Sequence, residues 1–453
     1  MNAAAPDGPA GRNWAGGVVY RAERLARPSS LPELDALLAG PGPVKVLGSR
    51  HTFNTLADTS GTAISLAGLP VEVDAGGAPD RVRVAGELHY GDLAVRLAER
   101  GLALGNLASL PHLSIAGAIA TGTHGSGDRA PSLAAAVRSI TFATAGGGRR
   151  RFAEGDADFP GAVVHLGALG AVVELELAVE PHYEIAQTVY EAPSWDAMLA
   201  EFDAVTALGD SVSVFTDWRR SDRAGLLWVK SRTGAVRSSM TPAGALRSSR
   251  RRASAVSRRD DVLLNAARLA LLERLGATPA DGPRHPIAGA DTRNATEQQG
   301  VPGPWYERLP HFRLGFTPSS GAELQSEYLV PRADAARVVE ALRRHAERIA
   351  PMLMVGELRT VAGDGLWLSP AYGADSVAFH FTWHPDPEGV AAALRVLEAE
   401  LPATARPHWG KVFALPPEEV RARYPRWADF ARLRAELDPD GRFRNAFLVG
   451  LGL

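Results

Sequence analysis

Cysteine is absent from all 453 residues. That absence removes disulfides, thiolate nucleophiles and sulfur-ligated metals, and it fits a reducing, cytoplasmic setting. Net charge is scarce too: 49 Lys and Arg against 51 Asp and Glu leave a formal −2. Without a global field of one sign, neither nucleic acid nor an anionic membrane is an expected partner. No window approaches the ~18 apolar residues of a membrane span. The opening MNAAAPDGPAGR lacks the basic start and apolar core of a signal peptide, so residues 1–12 are expected to be a disordered tail. The chain also lacks GxGxxG and GxxxxGK[ST], which removes the Rossmann cradle and the P-loop. His51, His112 and His124 show no metal-ligand spacing, and without cysteine no metal is expected.

What is present suggests two domains, since the length is about three times a usual single domain of roughly 150 residues. From Asn13 to Pro181, short β-rich runs are broken by glycine turns: GGVVYRAE, VKVLGS, GTAISLAG, RVRVAGE, RSITFATAGG and AVVELELAVE. Between them SLPELDALLAG and GDLAVRLAERGL carry apolar residues at helical spacing with a glycine past the end. The fold class is α+β. A second block over 182–405 opens with the strands SVSVFTDW and GLLWVKS. Then comes an arginine-rich stretch near 232–259 without interleaved aromatics, read as a solvated insertion. DDVLLNAARLALLERLG, with a capping aspartate, follows as a helix. Residues 406–453 end in an apolar segment that should dock on a domain.

Three later segments, AELQSEYLVP, LMVGELRTV and SVAFHFTWH, alternate with the period of a strand. Gln325 pairs with Glu327, Glu357 with Arg359, and His380 with Thr382, each pair opposite an apolar face. A solvated sheet face is the plain alternative. These convergent donors and acceptors better suit the wall of a pocket for a polyhydroxylated ligand. In RPHWGKVF, Lys411 lies in a glycine-opened, aromatic-flanked run and is expected to be buried, with a lowered pKa. GSRHTFN (48–54) and NLASLPHLSIAGAIATGTHGSG (106–127) are rich in small residues, leaving backbone amides free to approach a pyrophosphate.

Together with LGALGAVVELEL, FTDWR, VPGPWYERLPHFR, ELRTVAGDGLWLSPAYG and LDPDGRFRNAF, these segments resemble the bacterial alditol oxidases, or xylitol oxidases. Those are flavoproteins of the vanillyl-alcohol-oxidase class. The resemblance implies a two-domain FAD fold: residues 13–181 with 406–453 would hold FAD, and 182–405 would form a cap built on an antiparallel sheet. It implies covalent attachment of His51 to the flavin. Gly48, Ser49, Arg50, Thr52, Asn54, Ser114, Gly117, Thr121, Gly122, His124, Gly125, Gly170, Val172 and Asn445 would surround the cofactor. Lys411, kept neutral by Arg359, would be the base, with Glu357 and Ser109 at the reacting end and Gln325, His380 and Thr382 gripping further hydroxyls. The implied reaction takes a primary hydroxyl of xylitol or sorbitol to the aldose, with O2 giving H2O2. The alternatives are a sugar-lactone oxidase and a flavin-carrying binding protein without turnover. Nothing in the sequence argues for assembly, so a monomer is expected. The family has glycine where Arg50 stands, and arginine there costs on the order of 1 kcal/mol if φ is positive.

Overall fold

The computed structural model describes residues 8–233, 265–316 and 322–453. Most of the arginine-rich stretch, and the aspartate expected to cap the following helix, lie outside these residues; the helix is seen over 265–274. Arg232 belongs to a strand instead, where its guanidinium pairs with Glu180 at 2.6 Å.

The first block holds two sheets. Strands β1 (Arg24–Ala26), β2 (Val44–Val46) and β3 (Thr62–Ile64) make a parallel sheet in the order β1-β3-β2. Helix α1 (Leu31–Ala39) starts where Ser30 accepts from the Glu33 amide, with proline in its first turn, and it ends at Gly40. Strands β4 (Val73–Ala78), β5 (Arg81–Ala85), β6 (Val137–Ala143), β7 (Arg149–Ala153) and β8 (Ala171–Ala178) form an antiparallel sheet in the order β4-β5-β8-β6-β7. Helix α2 (Tyr90–Ala98) buries Leu93, Ala94 and Leu97 on one side, as its spacing requires.

Two expectations about the N-terminus differ from the structure. GGVVYRAE is not a strand before Arg24, because the Asn13 side chain accepts from the Val18 amide and Gly16 turns at φ 72°. Residues 8–12 are packed rather than frayed: Ala10 is fully buried, and the Tyr20 amide donates to the Gly11 carbonyl.

The second block is built on an antiparallel sheet of nine strands among the described residues. Its long members are β9 (Glu184–Glu191), β10 (Ser211–Thr216), β11 (Leu226–Thr233), β12 (Leu324–Pro331), β13 (Leu353–Val361) and β14 (Ser376–Trp383). They run in the order β9-β11-β10-β13-β14-β12, and a two-residue strand, Arg406–Pro407, pairs with β12. Register sets Phe215, Glu357, His380 and Glu327 in one row across β10, β13, β14 and β12. The opposite face, with Val214, Leu358, Val377 and Phe379, shares a core with Val339 of α3 (Ala335–Arg344) and Leu394 of α4 (Pro387–Glu400). Burying each such side chain contributes about 1.5–3 kcal/mol, so a one-residue slip, which would exchange the faces, is strongly disfavoured.

The largest apolar cluster runs through both blocks, from Val82 and Ile115 to Phe379 and Leu453. The change near residue 181 is thus a change of sheet rather than a gap between cores. The C-terminal segment returns to the first sheet, where the Lys45 ammonium donates to the Phe443 carbonyl at 3.2 Å. Among the described residues no helix is long and apolar enough to cross a membrane.

Candidate active site

One continuous cavity lies between the first block's loops and the polar face of the second sheet. At one end it is walled by backbone. The Ser49 amide donates to Ser114 Oγ at 3.3 Å and the Ser114 amide to Ser49 Oγ at 3.2 Å, which ties the two glycine-rich loops together. A Cβ on Gly48 would lie 2.2 Å from Ser114 Oγ, and one on Gly117 would lie 2.7 Å from it. A side chain at either position would displace the Ser114 hydroxyl that ties the loops together, and glycine leaves a backbone-lined groove of the kind a dinucleotide needs. Leu166 and Gly167 border the same groove.

Arg50 adopts φ 60°, the left-handed region. Its side chain turns away to donate to the Ala10 carbonyl at 2.8 Å, and its own carbonyl accepts from the Trp14 amide at 2.9 Å. These contacts offset the backbone strain and leave His51 toward the cavity. The His51 ring stacks on Trp14 with centroids 5.0 Å apart. Its Nδ1 lies 3.0 Å from the Ser49 carbonyl, which can only accept, so Nδ1 carries the hydrogen. Nε2 then presents a lone pair and is buried without a hydrogen-bond partner among the described residues. Burial pushes the His51 pKa down to about 4, so the ring is neutral at pH 7.

The far end is a network of buried ions. Arg359 donates from Nη2 to Glu327 Oε1 and from Nη1 to Ser109 Oγ, both at 2.9 Å, and its Nε lies 3.5 Å from Glu357 Oε1. Glu327 also meets His124 Nε2 at 3.2 Å and His380 Nδ1 at 3.3 Å. Burial opposes its ionisation, yet His124, Arg359 and His380 together hold it well below the usual carboxylate range. Glu357 is likewise lowered: burial again opposes, and Arg359 and His311 outweigh it. His311 Nε2 lies 2.8 Å from Glu357 Oε1. His380 Nε2 is 3.2 Å from Thr382 Oγ1.

Lys411 reaches this network because its segment runs beside β12. The His408 amide donates to the Glu327 carbonyl and the Val412 amide to that of Gln325. Lys411 Nζ donates to Gln325 Oε1, and Gln325 Nε2 donates to Glu323 at 2.5 Å, which fixes the amide's orientation. Burial lowers the Lys411 pKa to about 8; Glu327 opposes the shift and Arg359 assists it. Desolvation is therefore the main cause, with the guanidinium secondary to it.

The family model described as an FAD binding domain matches residues 23–153, and that described as D-arabinono-1,4-lactone oxidase matches residues 322–451. Alditol oxidase of Streptomyces sp. (strain IKD472 / FERM P-14339) is 44% identical over 97% of this chain and 98% of its own. The chain belongs to the alditol oxidase family. L-gulono-1,4-lactone dehydrogenase of Mycobacterium tuberculosis is more distant, at 29% identity over 97% of this chain and 98% of its own. Cholesterol oxidase from B. sterolicum superimposes with a TM-score of 0.69 over 97% of this chain and 96% of its own, at 15% identity. It shares the fold alone. As a member of the alditol oxidase family, the protein is an oxidoreductase that binds FAD.

Of the residues the alditol oxidase resemblance singles out, Gly48, Ser49, Arg50, His51, Thr52, Ser109, Ser114, Gly117, Thr121 and His124 line the cavity, as do Gln325, Glu357, Arg359, His380, Thr382 and Lys411. His124 lies against Glu327 at the polar end rather than among backbone amides. Six others do not border it. Asn54 instead donates to the Trp409 and Lys411 carbonyls at 2.9 and 2.8 Å. Asn445 caps the last helix and donates to the carbonyls of Thr55, Leu56 and Asp58. Val172 is a core residue of β8, and Gly122, Gly125 and Gly170 sit hard against Pro370, Asn106 and Ala143. Glu327, placed by strand alternation on the same pocket wall as Gln325, lines the cavity as expected, although no role was assigned to it; Trp14, Lys45, His311 and His408 line it too and carry no sequence expectation. These four depend on partners far along the chain, which no local pattern shows.

Proposed function

We propose that this protein oxidises a terminal primary hydroxyl of an alditol such as xylitol or sorbitol to the aldose, reducing O2 to H2O2. The observation that carries this reading is the convergence of Lys411, Arg359, Glu357 and Ser109 on one buried end of the cavity. Bound FAD supplies the acceptor for the hydride and the route of its electrons to O2. The backbone-lined groove around Gly48 and Gly117 fits the cofactor's pyrophosphate. The unpartnered, neutral Nε2 of His51 fits covalent attachment to the flavin. In this reading residues 13–181 with 406–453 hold FAD, and 182–405 roof the substrate.

An alcohol gives up hydride poorly until its proton is leaving, so a base at the hydroxyl lowers the barrier. Neutral Lys411 takes that proton at Nζ. Arg359, fixed between Glu327 and Glu357, stabilises developing alkoxide charge. Ser109 and Glu357 hold the reacting end, while Gln325, His380 and Thr382 bond hydroxyls further along. Each buried polar group left unpaired by a missing hydroxyl costs about 1–3 kcal/mol, so deoxy and shorter alcohols are poorer substrates.

The test is peroxide release from xylitol, sorbitol and L-gulono-1,4-lactone, with a spectrum of the acid-precipitated protein. Turnover of the polyols and a yellow pellet are expected. Turnover of the lactone alone would overturn the polyol reading, and colour lost to the supernatant would overturn the His51 bond.

A further inference from the structure

Beyond His311, which contacts Glu357, lies a second buried lysine that the proposed chemistry does not use. Lys230 of β11 is 1% exposed, and its Nζ meets three acceptors: the Leu309 carbonyl at 2.5 Å, the Pro310 carbonyl at 3.1 Å and His311 Nδ1 at 3.2 Å. An ammonium has three hydrogens and no lone pair. With all three acceptors engaged, Nδ1 of His311 must accept, so the ring hydrogen sits on Nε2. That nitrogen is the one 2.8 Å from Glu357 Oε1.

The ring cannot easily turn. Phe215 and Trp228 meet it edge to face, with centroids 5.5 and 5.3 Å away. The His311 amide donates to the Ser109 carbonyl at 3.0 Å, so the same residue also braces the Ser109 loop. Burial lowers the Lys230 pKa to about 7, with Glu357 opposing the shift and Arg359 adding to it, so the ammonium that fixes the tautomer is the main form at pH 6.5 and is lost as pH rises above 7. Burial likewise lowers the His311 pKa, to about 4, so the imidazole is neutral and its tautomer decides what it can do.

We infer that Lys230 and His311 are a positioning pair: Lys230 fixes the imidazole tautomer, and His311 thereby holds Glu357 in one orientation as a hydrogen-bond acceptor for the reacting hydroxyl. With the other tautomer, His311 would face Glu357 with a lone pair, and the carboxylate would swing away or take up a proton. Neither residue touches substrate in this role, which rests on the polyol-oxidase reading.

Two measurements test the pair. The first is nitrogen NMR of 15N-histidine-labelled holoenzyme at pH 6.5, with the His311 signal identified by its loss in His311→Gln. The Nε2–H tautomer is expected in the wild type, with a change of tautomer population in Lys230→Met. An Nδ1–H tautomer in the wild type, or identical populations in both proteins, would overturn the pair. The second is xylitol kinetics at the same pH, where Lys230 is mainly the ammonium. Glutamine places an amide N–H near the position of Nε2 and can still reach Glu357, whereas asparagine reaches only Lys230. His311→Gln should keep most of kcat, while His311→Asn and Lys230→Met should lose roughly 10- to 100-fold, with KM changing less. Equal kcat for the glutamine and asparagine variants would refute a tautomer-specific role. A wild type that turns over no polyol would refute the substrate reading, and the NMR result would still decide the pair.

Discussion

Arg50 shows how one residue can be strained and still serve its loop. At φ 60° an arginine costs about 1 kcal/mol relative to glycine, and its bond to the Ala10 carbonyl returns a similar amount. Arg50→Gly should therefore change stability by less than ~1 kcal/mol, while Arg50→Ala, which keeps the strain and loses the bond, should cost about 1 kcal/mol more; thermal midpoints of the two variants compare them. Lys411 carries a sharper expectation. A positioned base contributes about 10²- to 10⁴-fold, so Lys411→Met should lower kcat on xylitol by that factor with the flavin still bound. Because the neutral amine is the active form, wild-type kcat/KM should climb as pH rises through about 8 and then level. A profile already flat from pH 6 would remove Lys411 as the base.

At the scale of elements, what was legible followed a short period. The strand faces of β12, β13 and β14 were readable because the alternation is local and the opposite face is a helix-covered core. The loops were legible only as glycine-rich stretches, since which glycine meets the cavity and which meets Pro370 or Ala143 is decided by chain tens of residues away. The same limit hid His311, whose meaning depends on Lys230, 81 residues earlier. Asn54 is the clearest case, being in the right loop with a different task. It accepts from the Leu56 amide and donates to the Trp409 and Lys411 carbonyls, which pins the lysine segment to the His51 loop. Asn54→Ala should destabilise the protein by about 1–3 kcal/mol and lower kcat on xylitol by displacing Lys411, without releasing flavin. Unchanged kcat in a destabilised protein would show that Lys411 is set by β12 alone.

Across the whole molecule, the buried titratable groups combine into one dependence of stability on pH. Burial lowers the pKa of His165 and His408 to about 3 and that of His311 to about 4, against an ordinary 6.5. Between pH 6.5 and 4 the unfolded chain takes up protons that these histidines refuse in the folded chain, which outweighs the one proton that Glu87, raised by burial to about 7, holds when folded, so stability falls as the solution is acidified through that window. Burial also lowers Lys45 and Lys230 to about 7 and Lys411 to about 8, against 10.5. From pH 7 to 10.5 the unfolded chain again holds protons the folded chain has released, and stability rises with pH. Tyr20 works the other way: burial raises it from 10 to about 12, so its contribution is lost as pH climbs above 10. The sum is a thermal midpoint that increases from pH 4 toward about 10 and then declines, an alkaline displacement from the usual optimum near pH 5–8. Calorimetry of the holoenzyme across pH 4–11 tests this. A midpoint that peaked near pH 6 and fell steadily to pH 9 would mean that the lysines keep their protons in the folded protein, and Lys411 would then lack the neutral amine that its proposed role requires.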